Sequence, residues 1–313
     1  MPSKAPGLFS SMLASKLFKR RMLCGLVILL SVGLLSASFV TMRAAAQTAQ
    51  APSVRYDFQF IRQGQMGLVE IDGANLTGAT AVAMGHTYVC YPTSTGAACP
   101  IAVPMAQAIK DTPLSITINH ADGTTTPWSS SFAVASGQFI ATNFVLPGNL
   151  MYLTRDDIQI NEDDRLLSAY SIITPTRYWD GGFTPPVKGG LIAPFGEARS
   201  YTGSLAIRRH TGQDLQASMG TPVLASANGR VVLSRLMDIH GNNIIIDHGW
   251  GIYSEYAHLS QRYVVPGQFV LQGDVIGLSG NTGRSTGPHV HWEISVDDVW
   301  VNPIEFAKIK LPQ

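Results

Sequence analysis

Turn-forming glycines and prolines cut the chain beyond Leu191 into short segments, and this punctuation limits what it can fold into. Gly220, Asn228-Gly229, Gly241, Pro266-Gly267, Gly273 and Gly280 separate candidate strands at 223–225, 229–233, 243–247, 252–256, 275–278 and 290–296. The expected product is an antiparallel β-domain of 189–313. Ile244-Ile245-Ile246 is a continuous apolar run, so its strand is expected to be buried on both faces. Residues 54–135 show the same grammar, with candidate strands at 54–61, 67–71, 79–84, 114–119 and 131–134 and turns at Asp72-Gly73 and Asp122-Gly123. No helix-period pattern competes there. The fold class is mostly β, a small immunoglobulin-like β-sandwich followed by an antiparallel β-sheet domain.

Residues 136–188 join the halves as a linker or wrapping segment. Asn161-Glu162-Asp163-Asp164 running into Arg165-Leu166-Leu167 reads as a helix start with solvated carboxylates, since the spacing matches no Ca²⁺ loop.

Only 14% of the 313 residues are charged, which leaves no long charge tract of the kind that binds nucleic acid. Residues 1–46 hold six basic and no acidic residues, leaving 16 basic against 21 acidic residues beyond them. That acidic remainder argues against a polyanionic partner. The basic cluster Lys19-Arg20-Arg21, the 19-residue apolar run from Met22 to Val40 and Ala44-Ala45-Ala46 form an export leader, either a cleaved signal peptide or a membrane anchor. The expected location is the periplasm or cell envelope, with an inner-membrane anchor as the alternative. Cys24, inside the apolar run, reads as an ordinary hydrophobe. Cys90 and Cys99 flank a turn-rich stretch and, in an exported chain, are expected to form a disulfide.

Six of the eight histidines lie between residues 210 and 291. In His210-Thr211-Gly212-Gln213-Asp214 an imidazole and a carboxylate stand four apart around a glycine, so both can converge on one cation, a pairing that suits Zn²⁺. His289 and His291 are i and i+2 on a candidate strand and face one site, with Val290 and Trp292 turned away; one ring can ligate while the other reaches a water. Tyr256-Ala257-His258-Leu259 can bring His258 to the same face. Three ligands without cysteine, and an open fourth position, is the pattern of a catalytic zinc site. His86, His120 and His240 read as structural, and His248 as structural or supporting.

With these residues in view, the stretch 189–306 resembles the lysostaphin-type (LytM-type) zinc endopeptidases that cut the peptide part of peptidoglycan. The matching residues are Ala193-Pro194-Phe195-Gly196, His210 to Asp214, Gly220-Thr221-Pro222-Val223, Tyr256 to Leu259, Gly280-Asn281-Thr282-Gly283, Gly287 to Glu293 and Val301-Asn302-Pro303. The resemblance implies Zn²⁺ ligands His210, Asp214 and His291, a catalytic pair His258 and His289, and an antiparallel sheet with a substrate groove over the metal. It implies an exported zinc metalloendopeptidase acting on peptidoglycan cross-links. The alternatives are a non-catalytic envelope protein that binds wall peptide or regulates other hydrolases through the same groove, and a zinc-stapled structural protein; neither needs His258 and His289. Arg284 reads as a solvated loop arginine, with a substrate carboxylate as its alternative partner. The bond cut and the oligomeric state are not legible.

Overall fold

The computed structural model describes residues 51–312 apart from 57 and 206; the leader expected over 1–46, with Cys24, lies outside the described residues. Eight strands, β1 (Ser53–Tyr56), β2 (Phe60–Arg62), β3 (Met66–Asp72), β4 (Leu76–Ala83), β5 (His86–Pro92), β6 (Gly96–Ala102), β7 (Asp111–His120) and β8 (Thr125–Ala135), pair along the path β1-β3-β6-β5-β4-β7-β8-β2. All pairs are antiparallel except β2 with β8. The period-2 pattern is clearest in β7, where Thr112, Leu114, Ile116 and Ile118 are buried between exposed neighbours. The single strand expected over 54–61 is instead two, because β1 and β2 join opposite ends of the path. Strand β6 leaves little trace in the sequence, since Ala97, Ala98 and Cys99 have small side chains that carry no strand signal of their own, whereas β5 has one in Thr87, Tyr88, Val89 and Tyr91 that the sequence reading passes over. Strand β5 gives His86–Cys90 to β4 and Tyr91–Pro92 to β6, and the expected Cys90–Cys99 disulfide ties the sheet where the strand changes partner.

The connecting segment holds β9 (Ala141–Phe144), a 3₁₀ turn (Gly148–Thr154) and helix α1 (Asp156–Tyr170). Beyond it come β10 (Leu191–Ala193), β11 (Ala198–Tyr201), β12 (Ile207–Arg209), β13 (Gln213–Gln216), β14 (Pro222–Leu224), β15 (Gly229–Leu236), β16 (Asn242–Gly249), β17 (Ile252–Leu259), β18 (Gln261–Arg262), β19 (Phe269–Val270), β20 (Val275–Leu278), β21 (His289–Val296), β22 (Val299–Val301) and α2 (Pro303–Phe306). The main sheet runs β10-β13-β21-β17-β16-β15-β19, with β22 also on β21. Two three-stranded ribbons flank it, β12-β11-β9 and β14-β20-β18. Ile244, Ile245 and Ile246 are fully buried, as the apolar run requires. Ile244 and Ile246 join the main core with Val290, Trp292 and Tyr256, while Ile245 faces Leu166 and Tyr170 of α1.

Helix α1 corrects the sequence reading. It begins at Asp156, where Asp156 and Asp157 supply the acidic first turn, and the residues expected at its start lie one to two turns inside it. Glu162, Leu166 and Tyr170, four apart, form its buried stripe, so Glu162 is no solvated carboxylate. It accepts hydrogen bonds from the amides of Ile239 and His240 (both 2.8 Å) and from His240 Nδ1 (2.5 Å). Burial alone would raise the Glu162 pKa, but the His240 contact and the two amides outweigh it and hold the group below its ordinary range. Replacing Glu162 with alanine removes the carboxylate that hydrogen-bonds the buried His240 ring and leaves the amides of Ile239 and His240 without their acceptor, and we expect a loss of about 3 to 5 kcal/mol of unfolding free energy by denaturant titration. A loss below about 1 kcal/mol would show the contact to be incidental.

All described residues belong to one compact unit. Where the first sheet meets the second, Tyr91 stacks on Trp250 with ring centroids 5.0 Å apart, and Trp179 stands edge-on to Trp250. Beside Tyr91 lies the Asp297 carboxylate, 7% exposed, its pKa pushed up to about 7 by burial and by the neighbouring Asp298. A folded-state pKa above the unfolded one means that stability is fully present below pH ~4 and is lost as pH rises through ~7. Asp297→Asn should therefore be more stable than wild type at pH 8 and match it near pH 4, read by urea unfolding at the two pH values. A difference that does not change with pH would remove this account.

Candidate metal centre

Strand β13 pairs antiparallel with β21, setting Asp214 opposite His291 and Gln216 opposite His289, so these four side chains share a face. His210 enters through the turn before β13. A Cβ on Gly212 would overlap the Trp292 carbonyl and crowd the His291 ring, so this turn lies against β21 only with glycine there. His210 Nε2 stands 2.9 Å from Asp214 Oδ1 and 2.9 Å from His291 Nδ1, and His291 Nδ1 stands 2.8 Å from Asp214 Oδ1. All three residues are buried.

The outer nitrogens of both rings are committed. His210 Nδ1 donates to the Pro194 carbonyl (2.8 Å) and His291 Nε2 to Glu293 Oε1 (2.7 Å). A neutral imidazole has one N–H, so with those outer protons held each ring can turn a lone pair inward, and with Asp214 Oδ1 the two inward nitrogens offer three donor atoms to one cation. Such a cluster calls for a cation, and two imidazoles with a carboxylate are a metal-binding set. Without a cation, the carboxylates draw a proton into the same place. Burial would raise the Asp214 carboxyl, yet His210 and His291 hold it well below its usual range; His291 is lifted to about 9, burial opposing and Asp214 and Glu293 prevailing.

His289 and His258 flank this cluster with ring centroids 4.8 Å apart. His289 Nδ1 donates to the Gly287 carbonyl (2.8 Å), and its Nε2 lies 3.6 Å from Asp214 Oδ1. His258 Nδ1 donates to the Thr282 carbonyl (2.8 Å), and its ring is 5.8 Å from that of His291. Strict alternation would bury His258 with Tyr256, because Ala257 is the residue opposite His291. A bulge prevents this: Asn242 faces Leu259 and Ile244 faces Tyr256, so Ala257 and His258 together oppose Asn243, and His258 takes φ 61°. The cluster opens into a cleft of about 560 Å³.

Residues 208–303 match the sequence model of peptidase family M23. The chain carries a peptidase family M23 domain. Among curated relatives, the peptidoglycan DD-endopeptidase ShyA of Vibrio cholerae is 40% identical over 40% of this chain and 28% of its own length. The DD-carboxypeptidase/endopeptidase Mpg of Neisseria meningitidis is 42% identical over 41% of this chain and 30% of its own. The chain thus spans about three tenths of the length of these relatives. A Pseudomonas aeruginosa crystal structure assigned to peptidase M23 superposes with TM-score 0.59 and 26% identity, covering 78% of this chain and 93% of that one. The family match bears out the resemblance drawn from the motifs.

Side chains outside the M23 match hold its donor atoms in place. Arg199 on β11 donates from Nη2 to Asp214 Oδ2 (2.7 Å) and from Nε to Glu197 Oε2 (2.9 Å), and Glu197 in turn accepts from Thr142 of β9 (2.6 Å). Asp214 therefore presents one oxygen to the cluster and has the other held by a guanidinium. On the far side of His291, Glu293 also accepts from Thr211 Oγ1 and lies 3.9 Å from His240 Nε2. His240, read from sequence as an isolated structural residue, thus links Glu162 of α1 to Glu293 of β21, which positions a donor ring. Sequence reasoning missed Arg199 and Glu162 because both belong to segments distant in the chain. Glu293 had a signal, lying two residues after His291 on one strand face. His248 stays apart, donating from Nδ1 to the Asn228 carbonyl (2.8 Å), its pKa lowered by burial to about 4. His86 and His120 belong to the first sheet.

His210→Ala, Asp214→Ala and His291→Ala should each empty the metal site of the purified protein by elemental analysis. Arg199→Gln should retain the metal with an affinity weakened about 10- to 100-fold in chelator competition, the usual effect of removing a group that orients a ligand. Full metal occupancy in the Asp214 variant would refute the ligand set.

Proposed function

We propose that the chain is an exported zinc metalloendopeptidase that hydrolyses peptide cross-links of peptidoglycan, with His210, Asp214 and His291 as zinc ligands and His258 and His289 as the catalytic pair. The observation that carries this reading is the convergence of His210 Nε2, Asp214 Oδ1 and His291 Nδ1 on one point, flanked by two further imidazoles that donate their Nδ1 protons outward. Two nitrogens and one oxygen without sulfur suit Zn²⁺ with a position left for chemistry. Zinc supplies Lewis acidity, polarising a carbonyl and bringing the pKa of water towards ~7.

The chain's own residues do the rest. With Nδ1–H fixed on the Thr282 and Gly287 carbonyls, His258 and His289 each present Nε2 to the cleft as a proton acceptor. One can take the proton of the attacking water on Nε2 and pass it to the leaving amine; the other, when it carries a proton on Nε2 as well, can donate it as a hydrogen bond to the oxygen of the tetrahedral carbon. A binding or regulatory protein would have no use for this second pair of rings. The names of ShyA and Mpg support a D,D-bond in the wall peptide as the bond cut. The Cys90–Cys99 disulfide and the basic, apolar N-terminal stretch support an oxidising compartment outside the cytoplasm.

Purified protein should clear a suspension of sacculi, lose this activity to a chelator and regain it with Zn²⁺, and muropeptide mapping should show the loss of cross-linked species. His289→Ala and His258→Ala should keep near-normal zinc while hydrolysis falls about 10²- to 10⁴-fold, and His291→Ala should lose both. A His289 variant that loses zinc as readily as the His291 variant would reverse the assigned roles. One that digests sacculi at full rate would favour a binding module.

A further inference from the structure

The loop 280–288 supplies both carbonyls that orient the flanking histidines, Thr282 O for His258 and Gly287 O for His289, and between them it carries Arg284. Arg284 is not the solvated loop arginine expected from sequence. It lines the cleft, half-buried, with its guanidinium 5.2 Å from the Tyr201 ring centroid. Its Nη1 donates to the Leu153 carbonyl (3.0 Å) and to Gln159 Oε1 (3.3 Å), which are uncharged acceptors.

Of the other cleft arginines, two are matched to acids, and the third, Arg209, is exposed and donates to the Gly196 carbonyl. Arg199 lies between Glu197 and Asp214, and Arg208 pairs with Asp156 of α1. The remaining cleft carboxylate on that helix, Asp163, takes a hydrogen bond from Gln159. Among the described residues no carboxylate stands within ion-pair distance of Arg284. Burial pulls its pKa down; Tyr201 and the more distant Glu162 oppose this, and the charges of Arg199 and Arg208 add to it. A guanidinium desolvated against neutral acceptors and a ring, with no ion-pair partner, is only partly compensated. It is a good recognition element, since its planar fork matches a carboxylate in two parallel hydrogen bonds.

We propose that Arg284 is a specificity-determining residue that binds a free carboxylate of the wall peptide, on the residue adjoining the scissile amide. The position follows from the loop, whose two ends fix the rings facing the reacting bond. The proposal rests on the peptidase reading above and adds a property that reading does not require: the substrate must be anionic beside the cut.

The test uses two synthetic cross-links of D-alanine to the amino group of a diamino acid, identical except that the carboxyl next to that amino group is free in one and a carboxamide in the other. Wild-type protein should cleave the free acid with a kcat/KM about 10- to 100-fold higher, the range of a charge-assisted hydrogen-bond pair. In Arg284→Gln this ratio should collapse towards one. Equal rates on the two peptides by wild-type protein would overturn the proposal and leave the peptidase reading intact, and this arm needs no variant to fold. A preference that persists in Arg284→Gln would place the carboxylate on another residue and equally overturn it. Failure to cleave either peptide, with sacculi also left whole, would instead bring down the peptidase reading beneath it.

Discussion

Three donor atoms brought within 3 Å of one another, on His210, Asp214 and His291, are the constraint around which the second sheet is arranged. Their approach depends on register. A slip of β21 by one residue against β13 would leave Asp214 on the cleft face while turning His291 into the core and Val290 and Trp292 out to the cleft. Those two apolar side chains, both fully buried, therefore fix the site as firmly as the donors do, since exposing them would forfeit several kcal/mol of burial. Hydrophobic burial on one face of β21 sets the register in which the three donor atoms converge on the other.

The segment joining the two sheets is as much a part of this centre as the strands that bear the donors. Strand β9 extends the ribbon that carries Arg199, and Thr142 on it holds Glu197, which holds Arg199, which holds the outer oxygen of Asp214. Helix α1 reaches the other side, with Glu162 on His240 and His240 against Glu293. The donor residues lie within 208–303, whereas the anchors on β9, α1 and β11 come from residues 142–199. A domain cut at the edges of the family match would keep its ligands and lose the groups that orient them.

The strand grammar and the histidine spacing made the mostly β architecture and the donor residues legible, because both rest on period-2 alternation and on contacts within a few residues. Ile244 to Ile246 buried on both faces, and Val290 and Trp292 turned from the cleft, follow from that period alone. What the sequence hid depends on long-range partners. An acidic stretch such as Asn161 to Asp164 looks solvated until His240, 78 residues away, is set against Glu162. Strand β6 is a small-residue segment buried by its neighbours rather than by its own bulk. Arg284 looks free in a glycine-rich loop until Tyr201 and the 3₁₀ turn close over it.

His258 shows how these effects combine. Alternation points it into the core, and only a bulge with a left-handed backbone brings it to the cleft, a conformation that costs a non-glycine residue on the order of 1 to 3 kcal/mol. That strain persists because the surroundings over-determine it. Leu259 is sealed in the core on one side, the His258 amide donates to the His240 carbonyl (2.8 Å), and its ring donates to Thr282. The His240 backbone is itself held by Glu162, so one buried carboxylate on α1 supports both the ring that grips Glu293 and the strand end that aims His258. A ring of the candidate metal cluster and its flanking histidine, on different strands, are in this way referred to a single fixed point outside the residues of the family match.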